Sequence, residues 1–400
     1  MANNLTEQFI REHRTDDVRK LALGPRPEGV DLQYALTQIS GWQAASVKIP
    51  SWADTDSVIY PKHLSMEQCT SQYIAEYKAA AIEKELGKGF SFADLTGGFG
   101  VDCYFISKNA SRSCYNEMSS ELCYIARNNF KALGRPEITV TCGSAEDSIA
   151  QQPSDSLDLI YLDPARRGNA GQKLISISGC QPDAVALQDD LLRVSRNVML
   201  KLSPMLDISR ALTEMHHVSR VMVIGLEGEC KEITLLIERD FNGEPVIEAV
   251  DINSKGEPGT AVSSTKTQDA ALILPIASPE QLQPGTYISE PSAPYMKSAL
   301  FRTIAARTGT ALLHPDTHLF WSKEKPEKFP GRTFRLEGII PFDKRSIAPL
   351  IKTQANLSVR NFPETAPQLQ KSLKLKDGGT RYLIATTLSD CRRVLLDLKK

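Results

Sequence analysis

The residues best placed to do chemistry lie in FADLTGGFGVD, residues 92 to 102, where an apolar run ends in Asp94 and a turn holding Thr96, Gly97, Gly98 and Gly100 follows. Glycines let a backbone pass close under a ligand. A dinucleotide fold would want GxGxxG with the pyrophosphate resting on the helix N-terminus, but the last position here is Cys103 and an acid precedes the turn. That acid would repel pyrophosphate. It suits a ligand with a cationic amino-acid end, and S-adenosylmethionine (SAM), which has an ammonium and a sulfonium but no phosphate, fits the charge pattern.

A second acid, Glu117, closes the next apolar run, where a doubly wound fold places a carboxylate to accept both ribose hydroxyls. The third run is followed by CGSAED: Ala145 leaves room for an adenine ring, and either Glu146 or Asp147 could accept its amino group. The fourth, LDLIYLDPARRG, puts Asp163 and Pro164 at the carboxyl edge of the sheet, beside the crevice where such folds bind ligands. Proline fixes its own φ and restricts its predecessor, so Asp163 is expected on a stiff turn as hydrogen-bond acceptor or general base. Arg166 and Arg167 would either clamp a substrate phosphate or pair with neighbouring acids. Lys201 and Ser203, in KLSP after the next strand, are expected to line the site.

These residues need a scaffold of alternating strands and helices. From residue 90 the apolar runs FSFADL, SRSCYNE, EITVTCG, LDLIYLD and NVMLKLS alternate with helical stretches, the rhythm of a parallel sheet. The first 88 residues read as helices, with apolar residues three and four apart. MEQCTSQYIAEYKAAAIEKEL among them reads as one helix, begun by a Ser65–Gln68 capping box and stopped by Gly87 and Gly89. A Gly-, Ser- and Thr-rich stretch beyond about residue 240 reads as a strand and a linker. A small module with a helix at MKSALFRTIAARTG follows, and then a strand, helix, strand, helix, strand, strand pattern from 329. The expected division is a helical region over 1–88, a Rossmann-like domain over 89–240, a linker with a small module over 241–325 and an α+β domain over 326–400.

The ordered motifs DLTGGFG, Glu117, the acidic turn after the third strand and DPARRG resemble those of class I SAM-dependent methyltransferases. The whole chain resembles a bacterial family in which that domain is followed by a ferredoxin-like module and a C-terminal THUMP-like domain, a domain type of RNA-modifying enzymes. The resemblance implies a Rossmann-like doubly wound sheet and SAM as cofactor. It assigns the cofactor loop to Asp94, Thr96, Gly97, Gly98 and Gly100, the ribose acid to Glu117 and the acceptor side to Asp163 through Gly168. It likens the helix bearing Ser71 and Gln72 to a segment that covers SAM. Asp163, Pro164 and Arg166 are the catalytic candidates. The motif departs from two known chemistries. Exocyclic-amine methylation usually wants a second proline and an aromatic residue that stacks on the base, where this chain has Ala165 and Arg166. Pyrimidine C5 methylation needs a cysteine nucleophile, and Ser203 stands in its place.

Composition sets the class. An apolar fraction of 41% and a charged fraction of 24% describe a globular protein rather than a disordered, fibrous or membrane one. With no long apolar run, neither signal peptide nor spanning helix is expected, and the protein is expected in the cytoplasm. The eight cysteines form no CxxC pair and read as reduced, mostly buried thiols. His314 and His318 flank Pro315 without the glutamate of HExxH, so no metal is expected. The net charge of −1 hides an asymmetry: residues 291 to 400 carry 20 Lys and Arg against 9 Asp and Glu, which makes them +11 and the rest −12. A basic region on an acidic protein fits a polyanion, so RNA, as tRNA or rRNA, is the expected substrate and partner. A methyltransferase acting on a small molecule or protein, and an inactive SAM- and RNA-binding protein, are the competing readings.

Overall fold

The computed structural model describes residues 3–166 and 176–400. The chain forms two compact units, residues 1–219 with 233–243, and residues 220–232 with 244–400.

The first unit begins with six helices: α1 (Asn4–Glu12), α2 (Val18–Leu23), α3 (Leu32–Lys48), α4 (Pro50–Ala53), α5 (His63–Gln68) and α6 (Gln72–Leu86). The single helix expected over 66–86 is two helices. Ser65 lies inside α5, Cys69 is extended, and Ser71 is the N-cap of α6. The break has a physical cause, because the hydroxyl of Thr70 is committed to Asp102 at 2.6 Å. Gly87 ends α6 at φ 74°, a left-handed position that glycine adopts without a Cβ clash.

Strands and helices then alternate through β1 (Phe90–Asp94), α7 (Val101–Ser107), β2 (Ala110–Glu117), α8 (Ser120–Ala132), β3 (Thr139–Cys142), α9 (Ala145–Ala150) and β4 (Leu157–Leu162). A short ladder of β5 (Ala165–Arg166) and β6 (Cys180–Gln181) precedes α10 (Gln188–Val194), β7 (Ser195–Leu202) and α11 (Ile208–Glu214). Next come β8 (Val218–Leu226) and β9 (Glu229–Glu238). In this unit the strand order is β9-β7-β4-β1-β2-β3, parallel except for β9, which runs antiparallel to β7. The fold is thus the expected doubly wound α/β sheet. Its central strands are buried on both faces, with Phe92, Leu159, Ile160 and Leu162 at 0% exposure, as continuous apolar runs require in a helix-covered parallel sheet. The order reverses between β1 and β4, which opens a crevice at their carboxyl ends.

In the second unit β8 lies parallel to β10 (Val246–Ile252), and β11 (Val262–Ser264) is antiparallel to β10. After α12 (Lys266–Ala271) come β12 (Tyr287–Pro291), α13 (Ala293–Ser298), α14 (Phe301–Thr308), β13 (Ala311–Leu312) and β14 (Phe320–Ser322). The helix expected over 296–309 is therefore interrupted: Ala299 takes a left-handed φ of 58°, which stops α13 before α14 starts. The chain ends with β15 (Gly331–Pro341), α15 (Lys344–Ile347), β16 (Asn356–Arg360), α16 (Ala366–Leu373), β17 (Arg381–Thr387) and β18 (Arg393–Lys399), the pattern read from the sequence. Strands 12 to 18 form one sheet in the order β13-β14-β12-β15-β18-β17-β16. It is covered on both faces: Ile384 and Leu396 pack in one cluster, while their neighbours Leu383 and Leu395 pack in the other.

Among the described residues no helix is long and apolar enough to cross a membrane, and no group of three His, Cys, Asp or Glu could hold a metal. Of the eight cysteines, Cys103, Cys123 and Cys180 are buried, fewer than the sequence suggests. The others stand at strand ends and on partly open surfaces.

Candidate active site

The glycine turn connects β1 to α7 at the point where the strand order reverses. Its shape is forced by Tyr115 of β2, because a Cβ on Gly97 would fall 2.1 Å from that buried ring. The Gly97 N–H donates to the Asn116 carbonyl at 2.8 Å, and the Tyr115 hydroxyl donates to the Gly98 carbonyl at 2.6 Å. Gly98 and Gly100 take φ of 54° and 90°, and Gly100 is the N-cap of α7. A backbone so pinned carries no side chain at its three glycines.

Carboxylates converge on this turn. Asp94 is 1% exposed and accepts from the Thr96 N–H at 3.0 Å. Burial pushes its carboxyl well above the usual range, and the charges of Asp102, Asp163 and Glu117 push the same way. Glu117 accepts from the Gly98 N–H at 3.0 Å through one oxygen and from the Ser119 N–H at 2.9 Å through the other. The carboxylate is held in place with lone pairs to spare, since an ionised carboxylate has about four acceptor sites.

Across the crevice, the Asp163 N–H donates to Thr96 Oγ1 at 2.6 Å, which ties the end of β4 to the turn after β1. Lys201 of β7 donates to Asp163 Oδ2 at 2.6 Å, so the expected site-lining lysine meets the expected acid. Pro164 follows, half-buried, and the backbone of Ala165–Arg166 pairs with β6. Arg167 and Gly168 lie outside the described residues. At the start of α9, Ala145 is buried. Asp147 is exposed and its carboxylate accepts from the Ser144 hydroxyl at 2.6 Å, whereas Glu146 is half-buried.

Ser71 is 7% exposed, and its hydroxyl has no hydrogen-bond partner among the described residues. Gln72 is otherwise engaged: its amide accepts from the Ser51 N–H and donates to Glu76, both at 2.9 Å. The structure therefore gathers Asp94, Thr96, the glycines, Glu117 and Asp163 around one turn, and it turns the side chain of Gln72 toward the helical region.

Sequence reasoning missed a buried ionic network behind the turn. Lys78 of α6, 0% exposed, pairs with Asp102 Oδ1 at 2.8 Å and donates to the Tyr161 hydroxyl at 3.1 Å. The hydroxyls of Thr70 and Tyr161 donate to Asp102 Oδ2 at 2.6 and 2.9 Å. Burial alone would raise the Asp102 carboxyl, but the charges of Lys78 and Lys201 and the bonds from Lys78 and Thr70 hold it below its usual value. The signal was present in the sequence, where Lys78 falls on the face of Ile74, Ala75 and Ile82, all buried. A lysine in an apolar stripe needs a buried partner.

Residues 287–330 match a family described as a ferredoxin-like domain, and residues 331–397 match one described as THUMP domain-like. The two matches meet where β15 begins, inside a single sheet. The crystal structure of a candidate methyltransferase from Porphyromonas gingivalis W83 is similar over 99% of this chain and 97% of its own, at 30% identity and a TM-score of 0.83. An O-methyltransferase from Bacillus cereus, solved with SAH, is similar over 49% of this chain and 100% of its own, at 13% identity and a TM-score of 0.33, a likeness too slight to bear on function. No curated protein matches the chain.

Proposed function

The chain belongs to the bacterial family of class I SAM-dependent methyltransferases with a ferredoxin-like module and a THUMP-like domain, and from that premise we propose that it methylates RNA, tRNA or rRNA, in the cytoplasm. The observation that carries the SAM half of this reading is the convergence of Asp94, Glu117 and Asp163 on a glycine turn that leaves the backbone bare. Mutually repelling carboxylates favour a cationic ligand. SAM supplies an ammonium and a sulfonium, and the second provides a methyl group with a good leaving group behind it. The RNA half rests on the +11 charge of residues 291–400 and on the THUMP-like match.

In this reading Asp94, with Thr96, Gly97, Gly98 and Gly100, takes the amino-acid end of the cofactor. The buried hydroxyl of Ser71 faces its carboxylate, Glu117 accepts the ribose hydroxyls, Ala145 leaves space for adenine and Glu146 or Asp147 accepts the adenine amine. Because transfer from a sulfonium mainly needs alignment, few catalytic groups are required. Asp163, on the rigid Pro164 turn, orients the acceptor or takes its proton, and Lys201 fixes its carboxylate by donating to it at 2.6 Å; Arg166 belongs to the acceptor side. Residues 89–240 form the catalytic domain, 1–88 its helical cover, 241–325 the linker with the small module and 326–400 the RNA-binding domain.

Calorimetry with SAM tests the cofactor, and transfer of labelled methyl to total tRNA and rRNA tests the substrate. SAM binding by the wild type, lost in Asp94→Ala and Glu117→Ala, is the expected result. Asp163→Ala should keep SAM binding and lose transfer. Failure of the wild type to bind SAM would remove the foundation of the proposal.

A further inference from the structure

Methyl transfer as described above gives no task to the buried carboxylate of Asp102, although three elements of the site meet on it. The residue stands in the first turn of α7, directly after the glycine turn. It holds the chain twice around the start of α6, through the Thr70 hydroxyl at 2.6 Å ahead of the helix and through the Lys78 ammonium at 2.8 Å inside it. It also accepts from the hydroxyl of Tyr161 on β4 at 2.9 Å, two residues before Asp163. The segments that carry Ser71, the glycines and Asp163 are thus tied to one side chain. The charge of Lys201, which donates to Asp163, is felt at both Asp102 and Cys69, so the break between α5 and α6 lies on the acceptor side of the turn.

What this tie holds in place is an unusual helix start. Ser71 is the N-cap of a 15-residue helix, yet its hydroxyl makes no capping bond, and the first turn of α6 carries no acid. That hydroxyl is buried and has no partner among the described residues. A helix N-terminus has amides without intrahelical partners and a partial positive charge, which together favour an anion. A buried hydroxyl left unpaired is costly, and a ligand that accepts from it removes the cost. Stability alone does not call for an ionic tie, since apolar side chains of similar volume hold two helices at least as well. An apolar residue at 102 could not hold the Thr70 hydroxyl, whereas a carboxylate does.

We propose that Asp102 is a positioning residue of the cofactor site: by holding Thr70 and Lys78 it ends α5 before α6 and aims the N-terminus of α6, with the unpartnered Ser71 hydroxyl, at the carboxylate of SAM. This rests on the SAM reading above. The two charges of the amino-acid end then meet opposite partners, the ammonium against Asp94 and the carboxylate against the helix start. A helix start fixed beforehand also loses less entropy when it grips the ligand. Asp102 touches no ligand and acts through Thr70.

The test is calorimetry of the full chain with SAM and with decarboxylated SAM, which keeps the ammonium and the sulfonium but lacks the carboxylate. The wild type should bind SAM at least about tenfold more tightly than the decarboxylated ligand, the ratio expected of one hydrogen-bonded charge. Thr70→Val removes the bond to Asp102 and keeps the shape of the side chain. In it the ratio should fall to about threefold or less, through weaker SAM binding and unchanged binding of the decarboxylated ligand. Thr70→Ser keeps the hydroxyl and should restore the wild-type ratio. Thr70→Ala, which is smaller and cannot clash, decides the matter if Thr70→Val fails to fold. Folded variants that weaken both ligands equally, or neither, would overturn the positioning role and leave the SAM reading standing. A wild type that binds the two ligands alike would do the same, and one that binds neither would overturn both.

Discussion

Asp94 cannot ionise easily in the free protein, because it is buried and three other carboxylates add to the penalty. An ammonium group placed against it removes that penalty. A raised carboxyl is protonated over part of the acid range, and binding a cation requires the ionised form, so SAM affinity should rise with pH as Asp94 loses its proton. Binding should also release that proton, which calorimetry in buffers of different ionisation enthalpy detects. Heat independent of buffer together with affinity independent of pH would contradict the placement of the ammonium. Gly97 makes a separate claim about shape. Alanine there would drive a methyl into the Tyr115 ring, which at 0% exposure has nowhere to swing, so urea denaturation of Gly97→Ala should show a loss of about 1–3 kcal/mol. An unchanged midpoint would mean that the turn relaxes. Asp94 and the glycines were legible in sequence because the spacing of an acid and glycines within one turn is a local property. The Lys201–Asp163 pair was only half legible: both residues were singled out, but their contact depends on β4 and β7 lying side by side.

Two consecutive helices on either side of β1 are joined by the Lys78–Asp102 pair, α6 from the helical region and α7 from the turn. Removing one partner of a buried pair strands the other charge, so Lys78→Met should cost about 3–5 kcal/mol by denaturant melt. The double variant Lys78→Met/Asp102→Leu should recover most of that loss. Equal destabilisation by the single and double changes would show that the charges do not matter to each other. Because the Asp102 carboxyl is depressed in the folded protein, the stability it contributes is present above its unfolded value of about 3.9 and lost as pH falls through the folded value. Acid titration of the Asp102→Asn variant should lack that component. The same pair explains an error of sequence reading. Periodicity carried a helix straight through residues 69–71, whereas Thr70 is held by Asp102, a partner that periodicity cannot see. The C-terminal elements, each an amphipathic segment closed by polar turns, were readable one by one, and so was their order.

At the scale of the molecule the two units are interleaved along the chain: residues 220–232 belong with the C-terminal unit, yet residues 233–243 return to the first. No single cut separates them. A chain ending at Gly243 lacks β10, the parallel neighbour of β8, and would leave Val221, Met222, Val223 and Ile224 short of cover. Such a fragment should be far less soluble than the full protein, measured as the soluble fraction on expression, because an apolar strand edge recruits other chains. A fully soluble, monomeric 1–243 fragment would show that β8 can be satisfied locally. Interleaving was invisible in sequence, which marks the boundary near 240 by composition but carries no sign of which strand joins which sheet. It also sets a schedule on the ribosome. At about 5–20 residues per second, roughly one to four seconds pass between the emergence of Leu226 and that of Val246. For that interval the nascent chain carries β8 without β10, so slow translation just after β9 would lengthen the window in which chaperones, or other nascent chains, can capture it.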